Sequence, residues 1–246
     1  MKGYGLIGFP LGHSFSVPYF QKKFEQEGIK DSYYKAFPID SISKFPELLS
    51  SHPELIGLNI TIPYKESVLK YLDEIDETAD RIGAVNTLHI KNGKLKGFNT
   101  DILGFKKSLV SLLENRNYRA LVLGTGGAAK AVSFVLDELN IPYRLVSRTP
   151  DKQGLSYQEL NQKILEEFHL IVNCSPLGMY PHTDSFPEIP YPYLGPGHIL
   201  FDLIYNPLET EFLKKGRERG AKTLNGLEML HLQAEASWTI WNENES

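Results

Sequence analysis

Apolar and polar residues alternate over several short stretches of the chain, and most of these are followed by a stretch whose apolar residues recur every three or four positions. Strict alternation predicts strand, because successive side chains point to opposite faces; the longer period predicts helix. "YGLIGF" is the first predicted strand, and "PYFQKKFEQEG" is the helix after it, ending at Gly28. "YYKAFPI" reads as a strand, and "SISKFPELLS" as a helix that Pro46 is expected to kink. From Gly57 to Ile62, Leu58, Ile60 and Ile62 alternate with Asn59 and Thr61; Pro63 ends this strand, and a helix is expected from Lys65 to Ile75. In "AVNTLHIKNGKLKGFNT" two alternating runs flank Asn92-Gly93, the strongest type I′ hairpin signal.

Beyond this point the pattern becomes more regular. "DILGFKKSLVSLLE" has helical periodicity, and "RALVLGTGGAAKAVSFVLDELN" reads as strand, glycine turn and helix. "YRLVSR", "FHLIVNCS" and "HILFDLIY" are short apolar strands. "ETEFLKKGRERG" is a helix stopped by Gly220, and "GLEMLHLQAEASWTIW" a long amphipathic one. Strands alternating with helices predict a mostly parallel sheet covered on both faces, hence an α/β fold. The domain change is expected in the helix that begins near Asp101. The C-terminal helix has no sheet of its own to cover, so residues 1–101 with 232–246 are expected to form an N-terminal α/β domain. Residues 102–231 then form a Rossmann-type, doubly wound dinucleotide-binding domain.

Composition narrows the function. A length of 246 residues, 41% of them hydrophobic, allows one large domain or two ordinary ones. A formal charge of −4 argues against non-specific nucleic-acid binding but leaves anionic ligands open, since a pocket can oppose the net charge. A single cysteine, Cys174, rules out an internal disulfide and reads as packing in a reducing compartment. The first residues reach Pro10 and Gly12 without a long apolar run, so neither a signal peptide nor a membrane span is expected, and the protein is expected to be cytoplasmic. The seven histidines show no H-x-x-x-H or His/Cys cluster, so no metal is expected.

"LVLGTGGAAKAV" has the form G-x-G-x-x-A, with Gly124, Gly126 and Ala129 between an apolar strand and a helix. Gly124 permits the tight turn, Gly126 lets a pyrophosphate approach the backbone, and Ala129 allows close helix–strand packing. Gly127 and Ala128 open the helix whose free N–H groups would face the phosphates. The next strand decides which dinucleotide is bound. Where an acid would accept from the ribose of NAD, this chain has Ser147, Arg148 and Thr149, with Lys152 close behind and Asp151 later in the turn. A lone arginine after a strand is ordinarily a solvated surface residue. Beside the glycine turn, a guanidinium fork and two hydroxyls fit the 2′-phosphate of NADP.

The first half of the chain carries a different chemistry. "GFPLGHSFS" offers Ser14 and Ser16, "NITIPYK" Asn59, Thr61 and Lys65, "GAVNT" Asn86 and Thr87, and "GFNTDILGF" Asn99 and Asp101. Small polar groups with one cation and one anion suit a small polyhydroxylated substrate. These segments, with "GTGGAAKA", "SRT", "NCSPLGM", "DLIYNPLET" and "NGLEMLHLQA", resemble the shikimate dehydrogenase family over nearly the whole chain.

The resemblance implies reduction of 3-dehydroshikimate to shikimate with NADPH, on the chorismate route to aromatic amino acids. It makes Lys65 and Asp101 the catalytic pair, and Ser14 and Ser16 the holders of the substrate carboxylate. Asn59, Thr61, Asn86, Tyr205 and Gln233 would surround the ring, while Asn173, Gly178, Met179 and Gly226 would lie near the nicotinamide. The first domain would bind the substrate, and the protein would be a monomer or homodimer. The chain departs from the family pattern at Val17, where proline is usual, and at Phe20 and Gln21, where a His-Asn pair is usual. It departs also at Ser147 for Asn, at Ser175 for Thr, and in a shortened stretch between Lys152 and His169. Two rival expectations stand beside this one: a quinate/shikimate dehydrogenase of broader cofactor use, and a non-catalytic nucleotide-binding regulator on the same fold. Intact Lys65 and Asp101 weigh against the regulator.

Overall fold

The alternation of the first predicted strand becomes two buried faces. In the computed structural model, which describes residues 1–12, 14–114 and 116–243, β1 (Lys2–Gly8) sends Ile7 into a cluster with Leu58, Ile60, Tyr64, Val68, Val85 and Leu88. Tyr4 and Leu6 point the other way, onto Phe20, Phe24, Tyr34, Ala234 and Trp241. His13 of "GHSFS" lies outside the described residues.

The chain divides into two compact units, Met1–Thr100 with Ala234–Ser246, and Asp101–Gln233. In the first, α1 (Ser16–Glu27) follows β1 and ends at Gly28, whose φ of 69° is the left-handed cap that glycine supplies without strain. Next come β2 (Ser32–Pro38), α2 (Phe45–Ser51), β3 (Leu55–Ile60), β4 (Glu74–Ile75), α3 (Glu77–Ile82), β5 (Thr87–Lys91) and β6 (Lys94–Phe98). The sheet order is β2-β1-β3-β5-β6-β4. β1 runs parallel to β2 and β3, β5 runs antiparallel to β3 and β6, and β4 is parallel to β6, so this sheet is mixed where a mostly parallel one was expected. Asn92 and Gly93 take φ of 53° and 75° between β5 and β6, as a type I′ turn requires.

Two local expectations are corrected. Pro46 lies in the first turn of α2, where its missing N–H costs nothing, and so it starts the helix instead of kinking it. Lys65 to Ile75 is not a helix but a run of turns, a single 3₁₀ turn at Leu69–Tyr71 and then β4. Backbone groups at its two ends are taken elsewhere: Lys65 O accepts from Val85 N at 2.8 Å, Asp73 N donates to Leu95 O at 3.0 Å, and just past the segment Asp76 N donates to Gly97 O at 2.8 Å.

The second unit is the doubly wound one. α4 (Asp101–Val110) leads to β7 (Ala120–Leu123), α5 (Gly127–Glu138), β8 (Tyr143–Val146), α6 (Gln162–Glu167), β9 (Leu170–Asn173), β10 (Ile199–Asp202), α7 (Glu211–Glu218), β11 (Lys222–Leu224) and α8 (Leu227–Asn242), whose last residues belong to the first unit. Its five strands are all parallel, in the order β11-β10-β9-β7-β8. β7 shows why both faces are covered: Ala120 and Val122 pack with Phe105, Ala129 and Val132, while Leu121 and Leu123 pack with Leu165, Leu200 and Phe212. The shortened stretch after Lys152 is compact. A single parallel bridge joins Leu155 to Val146 at the sheet edge, and a 3₁₀ turn at Tyr157–Glu159 and the six-residue α6 follow before β9.

Candidate functional site

In the first unit the predicted polar residues gather at one end of the sheet, where β1, β3 and β6 finish and β5 begins. β1 and β3 approach so closely there that a Cβ on Gly8 would stand 2.4 Å from Thr61 Cγ2, so only glycine fits. Thr61 N donates to Ile7 O, Ile60 N to Asn86 O, and Asn86 N to Phe98 O. Lys65 is half-buried in the turn after β3, and its carbonyl is tied to the residue before Asn86. Ser14 and Ser16 stand at the N-terminus of α1, which begins at Ser16 although proline is absent at position 17. The Ser14 hydroxyl is buried without a hydrogen-bond partner, beside free helix N–H groups, an arrangement that suits a carboxylate. Ser16 is also buried and hydrogen-bonds to Tyr34, whose phenol is pushed up by burial, with the Ser16 bond opposing.

Asn59 and Asn86 sit in a buried polar cluster. Asn59 Oδ1 accepts from Tyr34 Oη at 2.8 Å, and its Nδ2 faces Ser237 Oγ (2.9 Å), Thr87 Oγ1 (3.2 Å) and Asn86 O (3.3 Å). Asn86 Oδ1 accepts from Thr100 N at 2.7 Å and Thr87 Oγ1 at 3.1 Å, and its Nδ2 donates to Thr100 Oγ1 at 3.0 Å. Asn99 Nδ2 donates to Ala84 O. Tyr34 and Ser237 were not anticipated, although Ser237 is legible in hindsight. It lies three residues after Ala234 and four before Trp241, on the core-facing stripe of α8.

The second unit carries the nucleotide motif. Gly124 has φ of 118°, in the left-handed region, and a Cβ there would lie 3.3 Å from the Cys174 carbonyl carbon. A Cβ on Gly126 would meet nothing within 4 Å, so this backbone is open to a ligand. Gly126 caps α5, Gly127 and Ala128 form its first turn, and Ala129 is buried against β7. At the end of β8 the Ser147 hydroxyl is buried and unpartnered, and Arg148, Thr149 and Lys152 are exposed. Asp151 is turned into its own loop, its Oδ1 accepting from Gln153 N at 3.0 Å and Gly154 N at 2.7 Å. An open glycine turn, a helix N-terminus, an orphan hydroxyl and two cations are a donor set that fits a phosphorylated dinucleotide.

Past β9 and β10 two loops hold the remaining predicted residues. Asn173 is fully buried: its Nδ2 donates to Asp202 Oδ1 (3.0 Å) and Leu177 O (3.3 Å), and its Oδ1 accepts from Ser175 N and Oγ. Its side chain therefore shapes the loop from within. Gly178 has φ of 99°, Met179 is exposed, and Tyr205 is half-buried. A Cβ on Gly226 would clash with Leu203 O at 2.1 Å. Gln233 is buried, with Nε2 donating to Leu230 O. Asp101, also buried, opens α4. Cys174 packs beside the β7 cluster, and burial pushes its thiol up, which keeps it inert.

Asp202 was not anticipated. It is an anion-forming group at the end of an apolar strand, fully buried, accepting from Thr210 Oγ1 (2.6 Å), Asn173 Nδ2 (3.0 Å) and Ile204 N (3.1 Å). Burial pushes its carboxyl from 3.8 up to about 6, against those three bonds. Between these two values the folded protein holds a proton that the unfolded chain has released. This contribution to stability is present at low pH and is lost as pH rises toward 6, by about 2–3 kcal/mol. Asp202→Asn is expected to remove that slope. Urea unfolding of both proteins at several pH values between 4 and 7 checks it; a wild-type-minus-variant difference that does not change with pH would contradict it.

An all-parallel sheet in which β7 ends in a glycine turn at a helix N-terminus, joined to a mixed-sheet unit bearing a polar cluster, defines a two-unit α/β protein of Rossmann type. Residues 6–88 match the family described as shikimate dehydrogenase substrate binding domain. Over the whole chain, the shikimate dehydrogenase (NADP(+)) of Methanococcus maripaludis strain C6 is 40% identical, spanning 96% of this chain and 90% of that protein. Among solved structures, shikimate dehydrogenase from Aquifex aeolicus aligns with a TM-score of 0.89 at 33% identity, covering 100% of this chain and 94% of that one. Shikimate 5-dehydrogenase from Thermus thermophilus, solved with NADP(H) and shikimate, gives 0.87 at 31% identity, covering 99% and 94%. The chain belongs to the shikimate dehydrogenase family. Among the described residues no helix is long and apolar enough to cross a membrane, and no group of three or more metal-ligating side chains lies together.

Proposed function

We propose that this protein interconverts 3-dehydroshikimate and shikimate with NADP as the redox partner. The observation that carries this conclusion is the match of 96–98% of the chain, substrate motifs and nucleotide motifs together, to proteins named for that activity. NADPH, when bound, supplies a hydride to the ring carbonyl carbon. The chain's residues then manage charge. The Lys65 ammonium gives its proton to the carbonyl oxygen as negative charge develops there, and takes it back in the reverse direction. Asp101 accepts a hydrogen bond from Lys65 and another from a substrate hydroxyl, so one carboxylate orients acid and substrate alike. The substrate carboxylate is assigned to Ser14, Ser16 and the N-terminus of α1, which the unpartnered Ser14 hydroxyl supports. The ring hydroxyls are assigned to Thr61, Asn86, Tyr205 and Gln233. Residues 1–101 with 232–246 are assigned to substrate, and residues 102–231 to cofactor.

The cofactor's phosphates are assigned to the turn from Gly124 to Ala128, and its 2′-phosphate to Ser147, Arg148, Thr149 and Lys152. The nicotinamide side is assigned to the loops bearing Gly178, Met179 and Gly226, with Asn173 beneath them. Asp151 does not oppose this assignment, because its carboxylate serves its own turn. An assay with shikimate or quinate against NADP+ or NAD+, followed by absorbance of the reduced cofactor, tests the function. The expected result is turnover that is fastest with shikimate and NADP+. No turnover in any combination would favour the regulator, and faster turnover of quinate or with NAD+ would move the assignment to a broader enzyme.

A further inference from the structure

The side chains of Tyr34, Asn59, Ser237, Thr87, Thr100 and Asn86 form one connected hydrogen-bonded path inside the first unit, and the substrate assignments above use only some of them. Its direction can be followed donor by donor. Tyr34 Oη donates to Asn59 Oδ1 at 2.8 Å. That bond orients the Asn59 amide, since the flipped amide would set its oxygen against the Asn86 carbonyl. Asn59 Nδ2 has two protons and three facing acceptors, of which Ser237 Oγ is nearest at 2.9 Å. Thr87 Oγ1 donates to Asn86 Oδ1 at 3.1 Å, so Ser237 is the donor in its 2.8 Å contact with Thr87. Ser237 Oγ also lies 3.3 Å from Thr100 Oγ1. Asn86 Oδ1 receives the end of the path together with Thr100 N.

Ser237 is completely buried, as is Thr87, while Tyr34, Asn59, Asn86 and Thr100 are each at least nine-tenths buried, so no water competes for these bonds. A single hydroxyl, on the C-terminal helix, therefore touches β3 through Asn59, β5 through Thr87 and the residue before Asp101 through Thr100. Asn59 Oδ1 and its nearest donor contact are thus committed within the protein, as are both ends of the Asn86 amide, so the path fixes the orientation of both side chains.

We propose that Ser237, with Tyr34 at the far end of the path, is a positioning residue of the substrate side: it holds Asn59, and through Thr87 and Thr100 it fixes Asn86 and the backbone that leads into Asp101. The inference rests on the assignment of Asn86 and Asp101 to shikimate. Removing the Ser237 hydroxyl takes from Asn59 Nδ2 the nearest of its three acceptors and from Thr87 Oγ1 one of its donors, so both must rely on longer contacts and the cluster must rearrange.

The test uses the full chain as Ser237→Ala, Tyr34→Phe and the double variant. It measures kcat and KM for shikimate, the dissociation constant of NADP+ by calorimetry, and Tm. Ser237→Ala is expected to lower kcat/KM for shikimate about tenfold, a loss of one buried hydrogen-bond partner expressed in the site. NADP+ affinity is expected to be unchanged, because every bond in the path lies in Met1–Thr100 and Ala234–Ser246. Tyr34→Phe is isosteric, and is expected to show the same split with a smaller loss. In the double variant the combined loss should be smaller than the product of the two single losses, because both variants loosen Asn59, while Tyr34→Phe acts in addition through the Ser16 bond. Folded variants with unchanged kcat/KM for shikimate, equal losses toward shikimate and NADP+, or losses that multiply fully would each overturn the inference. Wild-type protein that neither binds nor oxidises shikimate would overturn the functional assignment, and this inference with it.

Discussion

Lys65→Ala is expected to lower kcat with shikimate about 10²–10⁴-fold, the contribution of a positioned proton-transfer group. Folding and NADP+ binding are expected to survive. The segment that carries Lys65 is held by other atoms: the Lys65 carbonyl bonds to Val85 N, Tyr64 is buried with its hydroxyl donating to Ile39 O at 2.6 Å, and Val68 is buried in the same cluster. Truncating the side chain leaves all three in place. With shikimate as substrate the ring hydroxyl would have to lose its proton to water alone as the hydride leaves, so the loss should fall on kcat more than on KM. Steady-state kinetics with calorimetric NADP+ binding separates the two effects. A variant with kcat close to wild type would remove Lys65 from the chemistry.

Arg148→Ala is expected to raise KM for NADP+ by roughly ten- to a hundredfold, the range for losing charge-assisted hydrogen bonds, and to change KM for NAD+ little. Arg148 is exposed, so its removal leaves the packing intact and the variant should fold normally. The local electrostatics favour a phosphate there. Lys152 is also exposed nearby in the chain, the buried Ser147 hydroxyl has no partner, and the one acid of the turn, Asp151, is engaged by two backbone N–H groups. The ratio of kcat/KM for the two cofactors is the direct readout. Equal losses with NADP+ and NAD+ would mean that Arg148 acts elsewhere than on the 2′-phosphate.

Much of the architecture was legible wherever neighbours in sequence decide the conformation. Gly28 ends α1, Asn92-Gly93 turns the hairpin, and Gly124 turns β7 into α5, because each needs a positive φ that a local residue choice supplies. The helix expected over Lys65–Ile75 failed for the opposite reason. Val85 and Leu95, both distant in sequence, took its backbone groups, and Gly97 took the Asp76 N–H just past it.

The candidate site divides along the same line. The motif residues could be named from the chain, because glycines, hydroxyls and charges at fixed spacing announce a chemistry. Which of them face a ligand and which face the protein could not. Asn59 and Asn173 read as ligand contacts, yet Asn173 is fully enclosed and bonded, and Asn59 meets Ser237 across 178 positions. Asp202 lies inside the apolar run "HILFDLIY" read as a strand, and in the fold it ends β10 and is the acceptor that joins the loops after β9 and β10.

Most strand and helix types, the glycine turns and the family could thus be read from the order of residues alone, since these depend on local sterics and on ordered motifs. The partner of each buried polar group could be read only from the folded chain. A hydrogen bond is satisfied by whatever lies within about 3 Å, and packing, not distance along the backbone, brings that atom there.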